Sequence, residues 1–194
     1  HVMLSGAGAE EFAKEQGLEM VEDNMYFATP KTMEWIEKLK QESKKNGTVG
    51  CVVLDKQGNL TAGTSTGGMF KKRWGRIGDS PVIGAGTYAD NNSCAVSCTG
   101  HGEYFIRHAV AFDVCARYKY LKESVEKAAD YIIHTELNTN AGNGGLIAVD
   151  KLGNIAMPYN SGGMFRGFLY KEKGSPEIKK GCGIGKKIVV VGEK

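Results

Sequence analysis

Proline and long apolar runs are scarce in this chain of 194 residues, and each of these two features excludes some classes of protein. Four prolines accompany 27 glycines that follow no Gly-X-Y period, which excludes collagen and Pro/Gly-rich disorder. No apolar stretch approaches the roughly 18 residues that a membrane-spanning helix needs. The net charge is +3 and the basic residues are scattered along the chain, so we expect neither a membrane nor a nucleic acid as partner.

Cysteine and histidine occur in patterns that do not suit a metal centre. The five cysteines form no CxxC pair, and the spacing of Cys94 and Cys98 does not fit a zinc knuckle. The four histidines show no metal-ligand spacing. The sequence therefore predicts no metal site, and it predicts reduced cysteines buried in the core.

Glycine, by contrast, is abundant and unevenly distributed. It makes up about 14% of the chain, roughly twice the usual share of about 7%, and 24 of the 27 glycines lie in residues 47–194. The chain therefore has a glycine-poor front and a glycine-rich back that meet at residue 47.

The glycine-rich part begins with a predicted β-hairpin and contains a second copy of it. Residues 49–54 form an apolar run of strand length, residues 55–59 supply turn residues, and residues 60–65 resume as a strand. Residues 54–70 and 149–165 share 8 of 17 identities without a gap. We therefore expect two equivalent hairpins, in two stacked sheets.

Helices are predicted between these hairpins and in the front of the chain. The predicted helices cover residues 9–13, 32–40, 103–120 and 125–133, with a polar linker at 41–46 and a terminal strand at 188–191. Strands joined by hairpins, with helices between them, favour an α+β layered fold over a doubly wound parallel sheet.

Thr48 stands where the polar linker meets the first strand, in the segment GTVG. A threonine hydroxyl is a weak nucleophile that needs a base, and its own α-amine can serve once the preceding peptide bond has been cut. Gly47 suits such a cut because glycine tolerates strained backbone conformations. The alternative is that Gly47 and Thr48 only begin a strand.

Two further segments have the chemistry to bind a small substrate. Arg76 and Asp79 lie three apart in GRIGDSP, and together they suit the carboxylate and ammonium of an amino acid; the alternative is a surface salt bridge. Thr99 and Gly100 precede a predicted helix and can form an oxyanion site. The alternative there is a glycine-rich turn with Glu103 in the first helical turn.

Together these segments resemble the isoaspartyl peptidase/plant-type L-asparaginase family of N-terminal-nucleophile hydrolases. The resemblance rests on GTVG, TSTGGM, GRIGDSP, GAGTYAD and AVSCTGHGE in this order, and on GNGGLIAVD later in the chain. It extends over nearly the whole chain, and residues 1–17 look like the later part of that family's α subunit. It implies a four-layer αββα sandwich that cleaves itself into α and β subunits.

The resemblance also implies roles for individual residues. Thr48 is expected to be the nucleophile, freed by autocleavage after Gly47, and Thr66 is expected to support its hydroxyl. The expected binding groups are Arg76 for the substrate α-carboxylate, Asp79 for the α-ammonium, and Thr99 with Gly100 for the substrate and the oxyanion.

The expected subunits and partners follow from the same resemblance. Residues 1–47 are expected to be the end of the α subunit with its linker, and residues 48–194 the β subunit, assembled as a dimer of αβ units. No cofactor is expected for catalysis, but the resemblance implies a structural sodium or potassium ion whose ligands lie outside this chain. We expect a cytoplasmic protein, or a periplasmic or secreted one, since residue 1 is His.

The expected activity is hydrolysis of L-asparagine and β-aspartyl (isoaspartyl) dipeptides to release L-aspartate. Two alternatives stay open: a glycosylasparaginase-type amidase, which shares GDSP and the TG element, and a cleavage-defective homologue that binds without turnover. The segment GNGGLIAVD favours the peptidase branch.

Overall fold

The computed structural model describes residues 4–21, 23–27, 29–30, 33–34, 47–69, 72–171, 178–183 and 189–192. The chain forms two compact units, residues 1–44 and 45–194. The first contains helix α1 (Gly6–Glu15) and a 3₁₀ turn (Asn24–Phe27). The predicted helix at residues 9–13 is thus confirmed. Most of the predicted helix at 32–40 and the whole linker at 41–46 lie outside the described residues.

The second unit contains antiparallel strands and a group of helices between them. Its elements in chain order are β1 (Thr48–Leu54), β2 (Leu60–Thr66), β3 (Thr87–Ala89), β4 (Cys94–Gly100), α2 (Gly102–Arg107), α3 (Val110–Leu121), α4 (Val125–Tyr131), a π-helical turn (Ile132–Glu136), α5 (Leu137–Thr139), β5 (Gly144–Asp150), β6 (Ile155–Ala156), β7 (Arg166–Lys171), β8 (Ile178–Gly183) and β9 (Val189–Gly192). The strands form three sheets, of order β1-β2, β3-β4-β5-β6 and β7-β8-β9. The mixed helix-and-sheet class and the C-terminal strand are as the sequence predicts.

Strand β4 lies between a helical layer and a second sheet. Its residues Cys94, Val96 and Cys98 pack with α2, α3 and α4 in the main apolar cluster. Ala95, on the opposite face, packs with Leu60 of β2 and Val149 of β5 in a second cluster. Because successive side chains of a strand point to opposite faces, this explains why residues 94–98 are all buried.

The two hairpins with related sequences have the same turn. In the first, the Asp55 carboxylate accepts hydrogen bonds from the amides of Gln57 and Asn59 and from the Asn59 side chain. In the second, Asp150 receives the same three bonds from the equivalent residues of its turn. The hairpins belong to different sheets, and Leu60 of the first hairpin lies in the same apolar cluster as Val149 of the second.

Two predictions need correction. The helix predicted over residues 103–120 is two helices, α2 and α3, because Ala109 adopts a left-handed backbone conformation with φ of 45°. The apolar periodicity continues across this break, so periodicity alone could not locate it. Among the five reduced cysteines, Cys94, Cys98 and Cys115 are buried, but Cys51 and Cys182 are exposed on strands that have one open face.

Candidate active site

Thr48 and Thr66 face each other across the first hairpin. They are paired in the register of β1 and β2, and the Thr48 hydroxyl donates a hydrogen bond of 3.2 Å to the Thr66 hydroxyl oxygen. Thr66 in turn donates to the carbonyl oxygen of Gly47 at 3.4 Å and accepts from the amide of Gly68 at 3.0 Å. The Thr66 hydroxyl therefore contacts both the hydroxyl of Thr48 and the peptide bond before it.

A chain of hydroxyl groups links this hairpin to the neighbouring sheet. Thr64, two residues before Thr66, hydrogen-bonds the Ser97 hydroxyl of β4 at 2.6 Å and accepts a bond from Thr87 of β3. The Thr64 hydroxyl also donates to the carbonyl oxygen of Gly86 at 3.2 Å. These bonds fix strand β2 against β3 and β4 near the candidate nucleophile.

Thr99 lies at the same end of the space between the two sheets. Ala95 and Ser97 point from β4 toward the hairpin, and the period of two places Thr99 next on that face. A Cβ atom on Gly50 would lie 2.9 Å from the Ser97 Cβ, so Gly50 packs directly on Ser97. Thr48 and Thr99 lie one period farther along their strands, on the same faces as Gly50 and Ser97.

The backbone around Gly100 is held in a close approach to β5. Gly100 pairs with Gly144, both have φ of 156°, and a Cβ atom on Gly100 would lie 2.7 Å from the Phe105 ring and 2.8 Å from the Gly144 Cα. The Asn160 side chain accepts a hydrogen bond from the Gly144 amide at 2.8 Å. Only glycine fits at this end of β4, so its peptide groups keep a defined position beside Thr99.

Arg76 makes a two-point ion pair with Glu103, the first-turn residue of α2. Its Nε and Nη2 atoms donate to the two Glu103 carboxylate oxygens at 2.8 Å each. Hydrogen bonding from Arg76 lowers the pKa of Glu103 to about 2, and the same bond raises the pKa of Arg76. Both groups are therefore charged throughout the neutral range.

Asp79 is a buried carboxyl group with an unpaired oxygen. Its exposed fraction is 5%, and its Oδ2 has no hydrogen-bond partner in the described part of the chain. Burial raises the pKa of Asp79, while the charge of Arg76 works in the opposite direction. A Cβ on Gly102 would lie 2.7 Å from Asp79 Oδ1 and 3.0 Å from Arg76 Nη2, so both charged groups converge on that glycine. The buried, unpaired oxygen suits a cationic ligand.

Comparison with known proteins identifies the family. Residues 1–178 match the model of a family described as asparaginase. The chain belongs to the asparaginase family. It is 46% identical over 184 residues to an isoaspartyl peptidase of Salmonella typhimurium, and this match covers 88% of the chain and 58% of the relative. It is 42% identical over 197 residues to an isoaspartyl peptidase of Escherichia coli, covering 90% of the chain and 61% of the relative.

A mammalian relative extends the comparison. The isoaspartyl peptidase/L-asparaginase of Mus musculus is 43% identical over 176 residues, covering 84% of the chain and 52% of that protein. The chain thus spans between half and about three fifths of the length of these asparaginase-family relatives.

The structure places the predicted residues of this asparaginase-family chain in two groups. Gly47, Thr48 and Thr66 meet at the start of the first hairpin. Arg76 and Asp79 converge at Gly102, and Thr99 lies on the strand that leads to this glycine. Arg76 does not form the surface salt bridge with Asp79 that was the alternative, since its carboxylate partner is Glu103. Their catalytic and binding roles stay predictions.

Sequence reasoning missed several residues that shape the site. Glu103 was considered only as a helix-terminal acid, although its carboxylate holds Arg76. The hydroxyl chain through Thr64, Thr87 and Ser97 was not foreseen. The joint occurrence of GRIGDSP and TGHGE is the one sequence signal that connects Arg76 to Glu103, which lie 27 residues apart.

The described residues contain no carboxylate- or thiolate-based metal site. No group of three or more His, Cys, Asp or Glu side chains that could hold a metal ion occurs among them. None of the helices in the described part of the chain is long and apolar enough to cross a membrane.

Proposed function

We propose that this chain belongs to a threonine-nucleophile amidohydrolase that cleaves its own Gly47–Thr48 bond and then hydrolyses L-asparagine and β-aspartyl dipeptides. The observation that carries the proposal is the contact of Thr66 with both the Thr48 hydroxyl and the Gly47 carbonyl oxygen. Membership of the asparaginase family and relatives named isoaspartyl peptidase support it.

In the autocleavage step, Thr48 acts on the peptide bond that precedes it. Its Oγ1 attacks the Gly47 carbonyl carbon while its proton passes to Thr66, whose hydroxyl donates to the carbonyl oxygen that gains charge. The C–N bond then breaks as the proton held through Thr66 passes to the Thr48 nitrogen, which leaves an ester between Gly47 and the Thr48 oxygen together with a free α-amine on Thr48. Water then hydrolyses the ester, and residues 48–194 begin with an N-terminal threonine.

In the hydrolytic cycle, the free α-amine of Thr48 serves as base for its own hydroxyl. Arg76 binds the α-carboxylate of the substrate and Asp79 its α-ammonium. The backbone and hydroxyl of Thr99, with Gly100, stabilise the oxyanion that forms when Thr48 attacks the side-chain carbonyl. Ammonia or an amino acid leaves, and water releases L-aspartate from the resulting β-aspartyl ester.

The fold and assembly expected from the family belong to this proposal. We place a further helical layer on the open face of the β1-β2 sheet, where Val49 and Val53 are exposed, which completes a four-layer αββα sandwich. We propose that αβ units, made of residues 1–47 and residues 48–194, assemble as dimers. We further propose that no cofactor takes part in the reaction and that the compartment is the cytoplasm.

Two other functions differ from the proposed one in the substrate that is hydrolysed or in the absence of hydrolysis. A glycosylasparaginase-type amidase would prefer a glycosylated asparagine, but the relatives described above are named isoaspartyl peptidases. A cleavage-defective homologue would bind L-aspartate as an uncut chain and turn over neither substrate.

The decisive experiment compares the wild-type chain with Thr48→Ala by intact mass and by hydrolysis of a β-aspartyl dipeptide. The wild type is expected to convert to two fragments, residues 1–47 and 48–194, and then to release aspartate. Thr48→Ala is expected to stay intact and to lose at least about 1,000-fold in kcat, because the nucleophile and its base are both removed.

The matched control is Thr61→Ala, on the same hairpin. Thr61 is exposed on β2 and points away from the neighbouring sheet, so this variant is expected to cleave and to hydrolyse like the wild type. Cleavage or hydrolysis by Thr48→Ala at the wild-type rate would remove Thr48 from its proposed role. Preference for glycosylasparagine over the dipeptide would favour the amidase instead.

A further inference from the structure

Glu103 binds one edge of the Arg76 guanidinium, and this leaves the other edge for a second carboxylate. A guanidinium group has five N–H donors in one plane, and each of its edges can bind a carboxylate with two parallel hydrogen bonds. Glu103 occupies the edge formed by Nε and Nη2, with both distances at 2.8 Å. The edge formed by Nη1 and the second proton of Nη2 is not used by Glu103.

The edge of Arg76 opposite Glu103 is bordered by two glycines. A Cβ on Gly78 would lie 2.8 Å from Nη1, and a Cβ on Gly102 would lie 3.0 Å from Nη2. Side chains at these positions would therefore crowd this edge. Because the same Gly102 position is 2.7 Å from Asp79 Oδ1, the edge also lies beside the buried carboxylate proposed to bind an ammonium group.

Glu103 is itself well placed to hold the arginine in one orientation. It lies in the first turn of α2, where the helix dipole favours a negative charge, and the His101 Nε2 is 3.4 Å from its Oε2. The Arg76 side chain is 18% exposed and that of Glu103 is 42% exposed. The ion pair thus holds a largely buried guanidinium against α2, and Glu103 is the more exposed of the two partners.

We propose that Glu103 is a positioning residue for substrate binding: it clamps one edge of Arg76 so that the Nη1–Nη2 edge faces the α-carboxylate of the substrate. The inference rests on the proposed function, because it takes Arg76 as the carboxylate-binding group. Clamping removes in advance the rotamer freedom that a long arginine side chain would otherwise lose on binding. Glu103 acts through Arg76 and does not touch the reacting atoms.

The alternative hypothesis is that Glu103 competes with the substrate for Arg76. The two hypotheses predict opposite effects on substrate affinity, because removal of a competitor tightens binding whereas removal of a clamp weakens it. The unused edge of Arg76 favours the clamp, since one guanidinium can hold two carboxylates on its two edges.

The test is steady-state hydrolysis of L-asparagine by Glu103→Gln, which keeps the side-chain shape and removes the second carboxylate acceptor. KM is expected to rise about tenfold with kcat within about twofold of the wild type, because a charge-assisted contact made in both the ground state and the transition state is weakened. A second probe is 3-aminopropanamide, which is L-asparagine without its α-carboxylate. Its kcat/KM is expected to be the same for both proteins.

Two further variants show whether Glu103 acts through Arg76. In an Arg76→Ala background, Glu103→Gln is expected to change KM no further, because the group it positions is absent. Glu126→Gln is the matched control, since Glu126 is also a first-turn acid, in α4, outside the site. Glu103→Asp, which retains the charge, is expected to recover part of the affinity and serves if Glu103→Gln does not fold.

The outcomes separate this inference from the function on which it rests. An unchanged or lower KM in Glu103→Gln, with an active wild type, overturns the clamp alone. An equal loss of kcat/KM on 3-aminopropanamide also overturns it, because the effect then does not depend on the carboxylate. A wild-type chain that hydrolyses neither compound overturns the proposed function and this inference together.

Discussion

Asp79 is buried, which disfavours its ionised form, yet its proposed role of binding an ammonium group requires that form. The residue is 5% exposed and one carboxylate oxygen has no partner within the described residues, so ionisation is costly before a cation binds. A substrate ammonium would supply the missing partner. The site therefore resembles others in which a strained or unsatisfied group is retained for binding at a cost in stability.

Replacement of the Asp79 carboxyl tests whether it contributes to substrate binding at a cost in stability. Asp79→Asn is expected to lower kcat/KM for L-asparagine by about 10- to 100-fold, the range expected when a charge-assisted hydrogen bond is lost. The same variant is expected to have a higher Tm at pH 7, because it removes a buried charge whose Oδ2 has no hydrogen-bond partner among the described residues. Both effects are measured by steady-state kinetics and by thermal denaturation.

The pH dependence of this effect has a definite sign. Burial raises the pKa of Asp79 above the ordinary value of 3.8, so folding favours the neutral form. The wild type therefore loses stability as pH rises from 3.8 through the raised pKa, and Asp79→Asn does not. Asp113→Asn is the control, since burial also raises the pKa of Asp113 but this residue lies on α3, and its removal should leave kcat/KM unchanged. A Tm for Asp79→Asn below that of the wild type at pH 7 would contradict the account.

Strands β1 and β2 show how closely the two sheets approach near the candidate nucleophile. Gly50 faces Ser97 with space for hydrogen alone, whereas Gly63, its neighbour on the other face of the hairpin, has nothing within 4 Å of an added Cβ. The two glycines are thus a matched pair, one between sheets and one open.

Gly50→Ala is expected to destabilise the protein by about 1 to 3 kcal/mol, the usual cost of overpacking a close contact. It is also expected to slow autocleavage, because the displaced β1 carries Thr48 with it. Gly63→Ala should leave both the free energy of unfolding and the cleavage rate near wild type. Denaturant titration and the time course of intact mass measure the two effects, and equal behaviour of the two variants would show that the sheets do not meet at Gly50.

The two compact units differ in where their apolar residues are buried. Every buried hydrophobic residue within the described part of the chain lies between Leu60 and Met164, and α1 has none. The Gly47–Thr48 bond lies outside that range. Its cleavage therefore severs no segment of either apolar cluster.

The main unfolding transition is accordingly expected to survive cleavage. The cleaved wild type and the uncut Thr48→Ala chain should differ in Tm by less than about 4 °C, the shift that about 1 kcal/mol produces in a chain of this size. Calorimetry of both proteins checks this, with Thr61→Ala to report the effect of a Thr-to-Ala change on the same hairpin. Loss of the transition on cleavage would mean that residues before Thr48 are part of the cooperative unit.

Much of the fold and of the site was accessible from local patterns. Turn chemistry and apolar runs located both hairpins, because their determinants lie within about 20 consecutive residues, and the segment order GTVG to TGHGE indicated the family. The helix break at Ala109 could not be predicted in this way, because apolar periodicity does not change at a single left-handed residue that divides a helix.

The partners of the charged and hydroxyl groups depended on contacts between distant segments. Asp79 followed Arg76 at a spacing that suggested a pair, yet Arg76 binds Glu103, on a helix that follows β4. Thr64 and Ser97 belong to different sheets and meet only when those sheets pack. Local sequence carries the propensities of turns and strands, whereas the choice among several oppositely charged or hydrogen-bonding partners is made by the packing that brings one of them within 3 Å.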